Sequence, residues 1–480
     1  MTTFATAAAL AFGCTHGAAA SPSKYLLLDD RNVIDTTASF VLGKVSKHAA
    51  GAMIREEREY EMRFDNMQPN VWYDPVLAKW RAWYSAFTSC SLSKTSVPYC
   101  NNASMTCGTP TTSVRATRGT GLLYAESTDG ITWYKPSLGM TEYKGSTDNN
   151  LIELDGMTTG IYLDESTTDP SQRYKVQTGS NSKGFITVSA DGLSWNATKD
   201  LDPETFGRWD TPKNVIFDEV SRQWIMYMRS TPTPQGLRVQ SYTHSLTDDY
   251  MGAWAPAVPT GLNTTGDWQP DGLVVWPYEG LYLGIGNVFN PTQAPAKMGA
   301  AIGQVNAVLG WSADGRRWKW LQPSQSLIPL GESGDFDSCG VFGAKQDPMR
   351  TSGDNDTLRL YYTGCNGPFF GSRGCALGMA TIQRDGFAGY TGGSLSTSQV
   401  RVASTTLRVS VDGGSSSGIR VGILGSDDLS IENCEPLKGA QTDATVTWKG
   451  HGSDLSHYAN GAISLEFDIP VGAVAFAFAV

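Results

Sequence analysis

The feature that most restricts the fold is a seven-residue phrase written three times: "STDGITW" from Ser127, "SADGLSW" from Ser189 and "SADGRRW" from Ser312. The second copy starts 62 residues after the first, and the third starts 123 residues after the second, close to two more such steps. A period of that length implies a repeated supersecondary unit, with the phrase degraded in one copy between the second and third. Within the phrase, Asp-Gly admits the positive φ angles of a tight turn. The flanking Ser and Trp are placed to pin that turn to a sheet.

A second pattern accompanies it: an apolar run, an acidic turn, then an aromatic run. It occurs as "NVWYDPVLAKWRAWYSAF" (70–87), "GIYLDESTTDPSQRYKVQTG" (160–179), "NVIFDEVSRQWIMYMRS" (214–230), "GLVVWPYEGLYLGIG" (272–286) and "GVFGAKQDPMRTSGDNDTLRLYYTG" (340–364). Each reads as a hairpin with alternating inward and outward positions. No long 3.6-residue apolar period argues for major helices. With 52 Gly, 14 Trp and 19 Tyr, the reading is an all-β chain with many tight turns. Its sheets would be set radially as a five-bladed β-propeller over 21–393. A β-sandwich with accidental internal similarity is the alternative. Past residue 393 the phrase disappears and "TLRVSVDGGSSSGIRVGIL", "DATVTWKG" and "ISLEFDIPVGAVAFAFAV" follow. These predict a separate C-terminal β-sandwich over 394–480.

Residues 1–20 carry no Lys, Arg, Asp or Glu, include a short apolar run and end in small residues, which reads as a cleaved signal peptide and predicts a secreted protein. Sequons at Asn102, Asn196, Asn263 and Asn355 suit a secreted glycoprotein. No later run is long enough to span a bilayer. The net charge of −10, without any Lys/Arg run, disfavours a nucleic-acid partner, which needs basic surface to replace counterions. Removing the leader takes Cys14 and leaves an odd number of cysteines. Cys365 and Cys375 flank a Gly-rich loop and are expected to pair. A second bridge is expected within Cys90, Cys100 and Cys107, while Cys339 and Cys434 stand alone.

In a radial arrangement the first strands of the sheets share one axis, so residues leading into them share a cavity. Phe64-Asp65, Trp209-Asp210 and Phe336-Asp337 each stand just ahead of such a strand; Asp267-Trp268 does so in inverted order. Clustered carboxylates repel one another and spread their pKa values, as acid/base chemistry requires. A turn-capping role is the ordinary alternative for each. Glu332 at the rim, with Asp337 as its competitor, is the candidate acid. Arg63, Asn66, Asn149 and Asn150 are candidate hydroxyl or carboxylate ligands, and Trp209 and Trp268 candidate stacking platforms.

The segments "EMRFDNMQPNVWYDP", "LLYAESTDGITWYKPSLGMTEYKGSTDNN" and "ATIQRDGFAGYTGG" resemble those of uncharacterised secreted relatives of glycoside hydrolase families 32 and 43. The resemblance implies a five-bladed propeller, with the C-terminal sandwich of family 32. It also implies a catalytic Asp at the position of Asp65 and a sugar-holding Asp at Asp210 in "RWDTP". The Asn-Asp-Pro-Asn surroundings and the Glu-Cys acid motif of that family are absent here. The expected function is therefore an extracellular glycoside hydrolase, or a glycosyl-transferring relative, acting on a poly- or oligosaccharide. A non-catalytic glycan-binding propeller is the alternative, and a protein-binding scaffold a third reading. Such hydrolysis requires no cofactor; Ca²⁺ is the metal that suits these acids.

Overall fold

The computed structural model describes residues 24–64, 67, 69–88, 90–96, 103–107, 120–154, 160–180, 183–202, 209–230, 238–262, 268–289, 303–345, 349–351, 354–367, 369, 374–414 and 417–480. Among them the regular structure is all β, with three short 3-10 turns and no α-helix. The five hairpins read from the sequence are the first two strands of five successive antiparallel sheets. The first sheet orders Asn70–Asp74, Lys79–Phe87, Thr120–Ser127 and Leu151–Ile152. The second orders Gly160–Leu163, Tyr174–Ser180, Lys183–Ser189 and Ala197–Leu201, and the third Trp209–Asp218, Gln223–Ser230, Val239–His244 and Val258–Pro259. The fourth holds Gln269–Tyr278, Leu281–Phe289, Val305–Ser312 and Trp318–Trp320. The fifth holds Gly340–Gly343, Asp354–Cys365 and Cys375–Gln383, and a parallel bridge from Val305 to Gly340 joins it to the fourth. The outer strand of the fifth sheet comes from the far end of the chain, as Val45–Lys47 and Ile54–Arg55.

Five hydrophobic cores lie between these sheets. Trp72, Trp83 and Tyr124 of the first meet Ile161, Leu163 and Val176 of the second. Ile186 and Val188 meet Val215 and Met226 of the third; Ile216 and Tyr227 meet Leu273 and Val275 of the fourth. Trp276 and Leu283 meet Val341 and Leu360 of the fifth. Phe342, Tyr361 and Leu377 of the fifth meet Val71, Trp80 and Tyr84 of the first. Both faces of the central strands are therefore covered. This is why Gln223–Ser230 and Gln269–Tyr278 are buried almost continuously instead of alternating as a one-sided hairpin would. The first strands are also tied to one another. Asn70 Oδ1 accepts from Ile161 N (2.7 Å), Asn214 Oδ1 accepts from Val275 N (2.8 Å), and Lys345 N donates to Pro69 O (2.8 Å).

The repeated phrase follows the third strand in the first, second and fourth sheets. Its Asp takes the backbone N–H groups two and three residues on: Asp129 from Ile131 and Thr132, both 2.7 Å, and Asp191 from Leu193 and Ser194 at 2.8 and 2.7 Å. Asp314 does the same with Arg316 and Arg317, both 2.8 Å. The Gly then adopts positive φ (73°, 73° and 69°) and turns its carbonyl toward the preceding sheet. Gly130 O accepts from Tyr361 OH (2.8 Å), Gly192 O from Trp83 Nε1 (2.7 Å), and Gly315 O from Tyr227 OH (2.6 Å). The phrase is thus a clasp between neighbouring sheets. In the third sheet "SLTDDYMGAW" stands in its place, where the Asp249 side chain accepts from Met251 N at 2.9 Å.

The C-terminal strands form two larger sheets, and a two-stranded pair of Val400–Arg401 with Ala462–Ile463, around their own core. One orders Ser39–Leu42, Ala388–Thr391, Val474–Ala479, Arg408–Asp412 and Ala440–Thr445, with Tyr25–Leu26 also on Val474–Ala479; the other orders Val33–Thr36, Gly393–Thr397, Leu465–Ile469 and Arg420–Ile423. Here burial does alternate, as in Leu465–Ile469. Three of these strands come from residues 25–42 and one from 388–391, both outside the 394–480 read from the sequence texture. Asp385 joins this unit to the five sheets. Its buried carboxylate receives Lys24 Nζ (2.6 Å), Tyr278 OH (2.8 Å) and Ser410 Oγ (2.5 Å).

Candidate active face

Each of the five sheets has two ends with different chemistry. At the end where first and second strands turn, the acids are structural. Asp74, Asp164 and Asp218 accept turn N–H groups from Val76, Ser166 and Val220, and neighbouring sheets anchor two of them. Burial raises the Asp74 carboxyl, but hydrogen bonds from Arg173 and Tyr174 outweigh it and bring it to about 2. Tyr282 OH binds Asp218 at 2.5 Å.

At the opposite end, where the chain enters the first strands and leaves the second, a different cluster forms. Arg229 ends the second strand of the third sheet, across from Asp210 in the register. Arg238 stands just before the next strand, Val239–His244. Asp271 lies in a register irregularity between Pro270 and Gly272, which frees its side chain from the regular pleat. The Nη1 atoms of both arginines converge on Oδ1 of this fully buried carboxylate. The Arg238 guanidinium also lies over the Phe369 ring, 5.3 Å from its centre. Arg63 Nη2 donates to the Phe369 carbonyl (3.3 Å).

Arg63 itself pairs with Phe87 at the end of the first sheet's second strand. Phe369 belongs to the loop closed by the Cys365–Cys375 disulfide. Glu56 accepts from Phe64 N at 2.7 Å and faces Arg63; burial pushes its carboxyl up to about 7. Lys213 and Lys345 are buried among the first strands. Burial, and then the charge of Lys213, lower the proton affinity of Lys345 well below that of an ordinary lysine.

Asp65, Asn66 and Asp267 lie outside the described residues. The backbones of Trp209 and Asp210 begin the third sheet's first strand; their side chains lie outside what is described. Asp337 stands apart from the Arg229–Asp271–Arg238 cluster. Lys47 Nζ, on the outermost strand of the fifth sheet, pairs with it at 2.5 Å, and Tyr362 OH donates to it at 2.8 Å. Gly364 and Gly378 leave the space on that sheet face that Phe336 and Asp337 fill, so this carboxylate sits over the second to fourth strands. Glu332 is exposed in the turn before it, its N–H on Asp335 Oδ2 (2.8 Å).

Asn149 Nδ2 donates to Thr141 O (2.7 Å) and its Oδ1 accepts from Leu151 N (3.0 Å). Asn150 is buried among Tyr60, Tyr84 and the Tyr124 carbonyl. Both hold loops in place. Trp268 is buried against Val288, Val308 and Trp320, which makes it core and not an open stacking platform. Cys339, expected to stand alone, is disulfide-bonded; its spacing in sequence carried no sign of a distant partner. Cys90 and Cys107 are paired in backbone register, and among the described residues Cys434 is a free, buried thiol.

Arg229, Arg238, Asp271, Glu56 and Phe369 were missed. One signal was present: Asp271 directly precedes the apolar run of the fourth hairpin, nearer to it than Asp267. Among the described residues no group of three or more His, Cys, Asp or Glu gathers as a metal site, and no helix is long and apolar enough to cross a membrane.

No family model matches the chain, and no curated protein matches its sequence. Solved structures resemble it at low identity. One described as a glycoside hydrolase shares 13% identity with a TM-score of 0.46, covering 71% of this chain and 92% of its own. An N-acetylgalactosamine deacetylase from F. plautii, in complex with blood group B trisaccharide, shares 14% with a TM-score of 0.43, covering 72% and 96%. The GH93 α-L-arabinofuranosidase of Fusarium graminearum, in complex with arabinobiose, shares 11% with a TM-score of 0.39, covering 71% and 99%.

Proposed function

We propose that the chain is a secreted, glycan-active protein in which five sheets form the blades of a β-propeller and the C-terminal unit is a β-sandwich. The observation that carries this reading is the convergence of Arg229, Arg238, Asp271, Arg63 and Phe369 at the end where the first strands begin. Planar guanidinium donors, a carboxylate and an aromatic ring are the groups that bind sugar hydroxyls and ring faces. In the hydrolase form of this reading, Asp65 supplies the reacting carboxylate and Asp210 holds the sugar. One carboxyl group protonates the glycosidic oxygen, while a carboxylate attacks the anomeric carbon or activates water. A non-catalytic glycan receptor is the second reading, and one observation favours it: Asp271, buried and engaged by two guanidiniums, has its charge committed to holding them.

Purified mature protein screened against a glycan panel, with released sugar and binding both read, tests these readings. Hydrolase activity should fall about 100-fold or more in Asp65→Asn and in Asp210→Asn, the loss expected for a positioned acid or base. Full turnover in both variants on a confirmed substrate overturns the assignment. Tight binding without cleavage leaves the receptor reading.

A further inference from the structure

We propose that Asn196 carries an N-linked glycan, displayed at the end of the sheets opposite the candidate active face; the inference rests on the secreted reading above and is independent of what that face binds. Of the four sequons, those at Asn102 and Asn263 lie outside the described residues, as does the Asn355 side chain. Asn196-Ala197-Thr198 has the pattern the transfer requires, a hydroxyl two residues on and no proline between. Pattern alone does not decide, since Asn149 and Asn150 show an asparagine amide taken up by its neighbours. Asn196 is not used in that way. Its side chain and that of Thr198 are exposed, and among the described residues its amide has no hydrogen-bond partner. Trp195 beside it packs toward the core between the first and second sheets, which leaves Asn196 on the outward side of the chain.

The site is on fixed structure. Asn196 joins the clasp turn of the second sheet to its outermost strand, Ala197–Leu201. Its N–H donates to Val188 O (3.3 Å). Further along that strand, Lys199 Nζ donates to Met251 O in the third sheet's turn (3.0 Å). Strand order gives the direction. Gly160–Leu163 runs away from the candidate face, Tyr174–Ser180 returns to it, and Lys183–Ser189 runs away again, each pair antiparallel. The chain therefore reaches Asn196 at the end where Asp74 and Asp164 hold their turns, the length of a sheet from Arg229 and Asp271. A bulky, solvated oligosaccharide there covers the clasp end and leaves the face open. In the transfer, the Asn196 amide nitrogen bonds to the anomeric carbon of an oligosaccharide carried on a lipid pyrophosphate. The bond from that carbon to the pyrophosphate oxygen breaks, the lipid pyrophosphate leaves with the electron pair, and the amide gives up one proton.

The test produces the full chain, with its own leader, in a eukaryotic secretory host. Protein from the medium is digested and mapped by mass spectrometry before and after an amidase releases N-glycans in heavy-oxygen water. The peptide containing Asn196 should be glycosylated in most molecules, and after release it should reappear deamidated and labelled at that residue. Asn196→Gln and Thr198→Ala should each remove this glycan and lower the apparent mass on a gel by one oligosaccharide, whereas Thr198→Ser keeps it. Retention in Thr198→Ser with loss in Thr198→Ala separates the need for a hydroxyl from a disturbed fold. Asn196→Gln should leave the melting temperature and any glycan binding by the candidate face unchanged; a loss of that binding overturns the placement at the opposite end. Secreted protein whose Asn196 peptide is unmodified overturns the inference and leaves secretion intact. A chain that stays in the cytosol with its leader uncleaved overturns both.

Discussion

Burial pushes the Glu56 carboxyl up to about 7, although Phe64 N–H, Cys375 N–H and Arg63 all favour its anion. In the unfolded chain the same group titrates near 4.5. Between those values the folded state holds a proton that the unfolded state has released, so stability falls as pH rises through that window. Thermal melts between pH 5 and 7.5 should show a declining Tm, with the decline reduced in Glu56→Gln. An unchanged slope in that variant would remove Glu56 as the cause. The residue scale is also where sequence reading was weakest. Asn149, Asn150 and Trp268 have the right chemistry for sugar contacts, yet hydrogen bonds to Thr141, Tyr84 and Tyr124 and packing against Trp320 use them as structure. Side-chain type names what a group can do, and the neighbours supplied by folding select among the options.

At the scale of elements, the clasp explains why one short phrase recurs. Its turn needs positive φ at glycine, and the same glycine must let an aromatic from the preceding sheet reach its carbonyl. A Cβ at Gly192 would lie 2.8 Å from Trp83 Cζ2, whereas one at Gly261, also at positive φ, meets nothing within 4 Å. Gly261→Ala should therefore cost about 1–3 kcal/mol from backbone strain alone, and Gly192→Ala distinctly more. Urea unfolding measures both. Equal losses would mean that the clasp contact contributes nothing beyond the turn. The five hairpins were legible because the apolar runs and acidic turns that make them are local. Their two-sided burial was not, because it depends on which sheets stand on either side.

For the whole molecule, the decisive contacts are long-range. Asp385 sits where the fifth sheet passes into the C-terminal unit, and Lys24, 361 positions away, neutralises it. Asp385→Ala should destabilise by about 1–3 kcal/mol, since it leaves the Tyr278 and Ser410 hydroxyls without their buried acceptor while Lys24 keeps Asp443 at 2.7 Å, and calorimetry should register a lower Tm. A loss below about 1 kcal/mol would place this pair among the weak surface bridges. The chain crosses between the two parts twice. Residues 25–42 pair with the C-terminal strands, and 45–47 and 54–55 complete the fifth sheet.

The sequence by itself determined the all-β class, the five hairpins, the clasp turns and the Cys365–Cys375 bridge. Each is encoded within a span short enough for turn chemistry or strand pattern to act without help from distant residues. Tertiary structure alone decided that N-terminal strands finish both the fifth sheet and the C-terminal unit, and that Cys339 pairs while Cys434 does not. It alone decided that Asp337 answers Lys47 and that Asp271 gathers Arg229 and Arg238. These outcomes depend on which backbones come to lie side by side. A buried charge takes the partner that geometry presents, and the order of residues along the chain does not state that geometry.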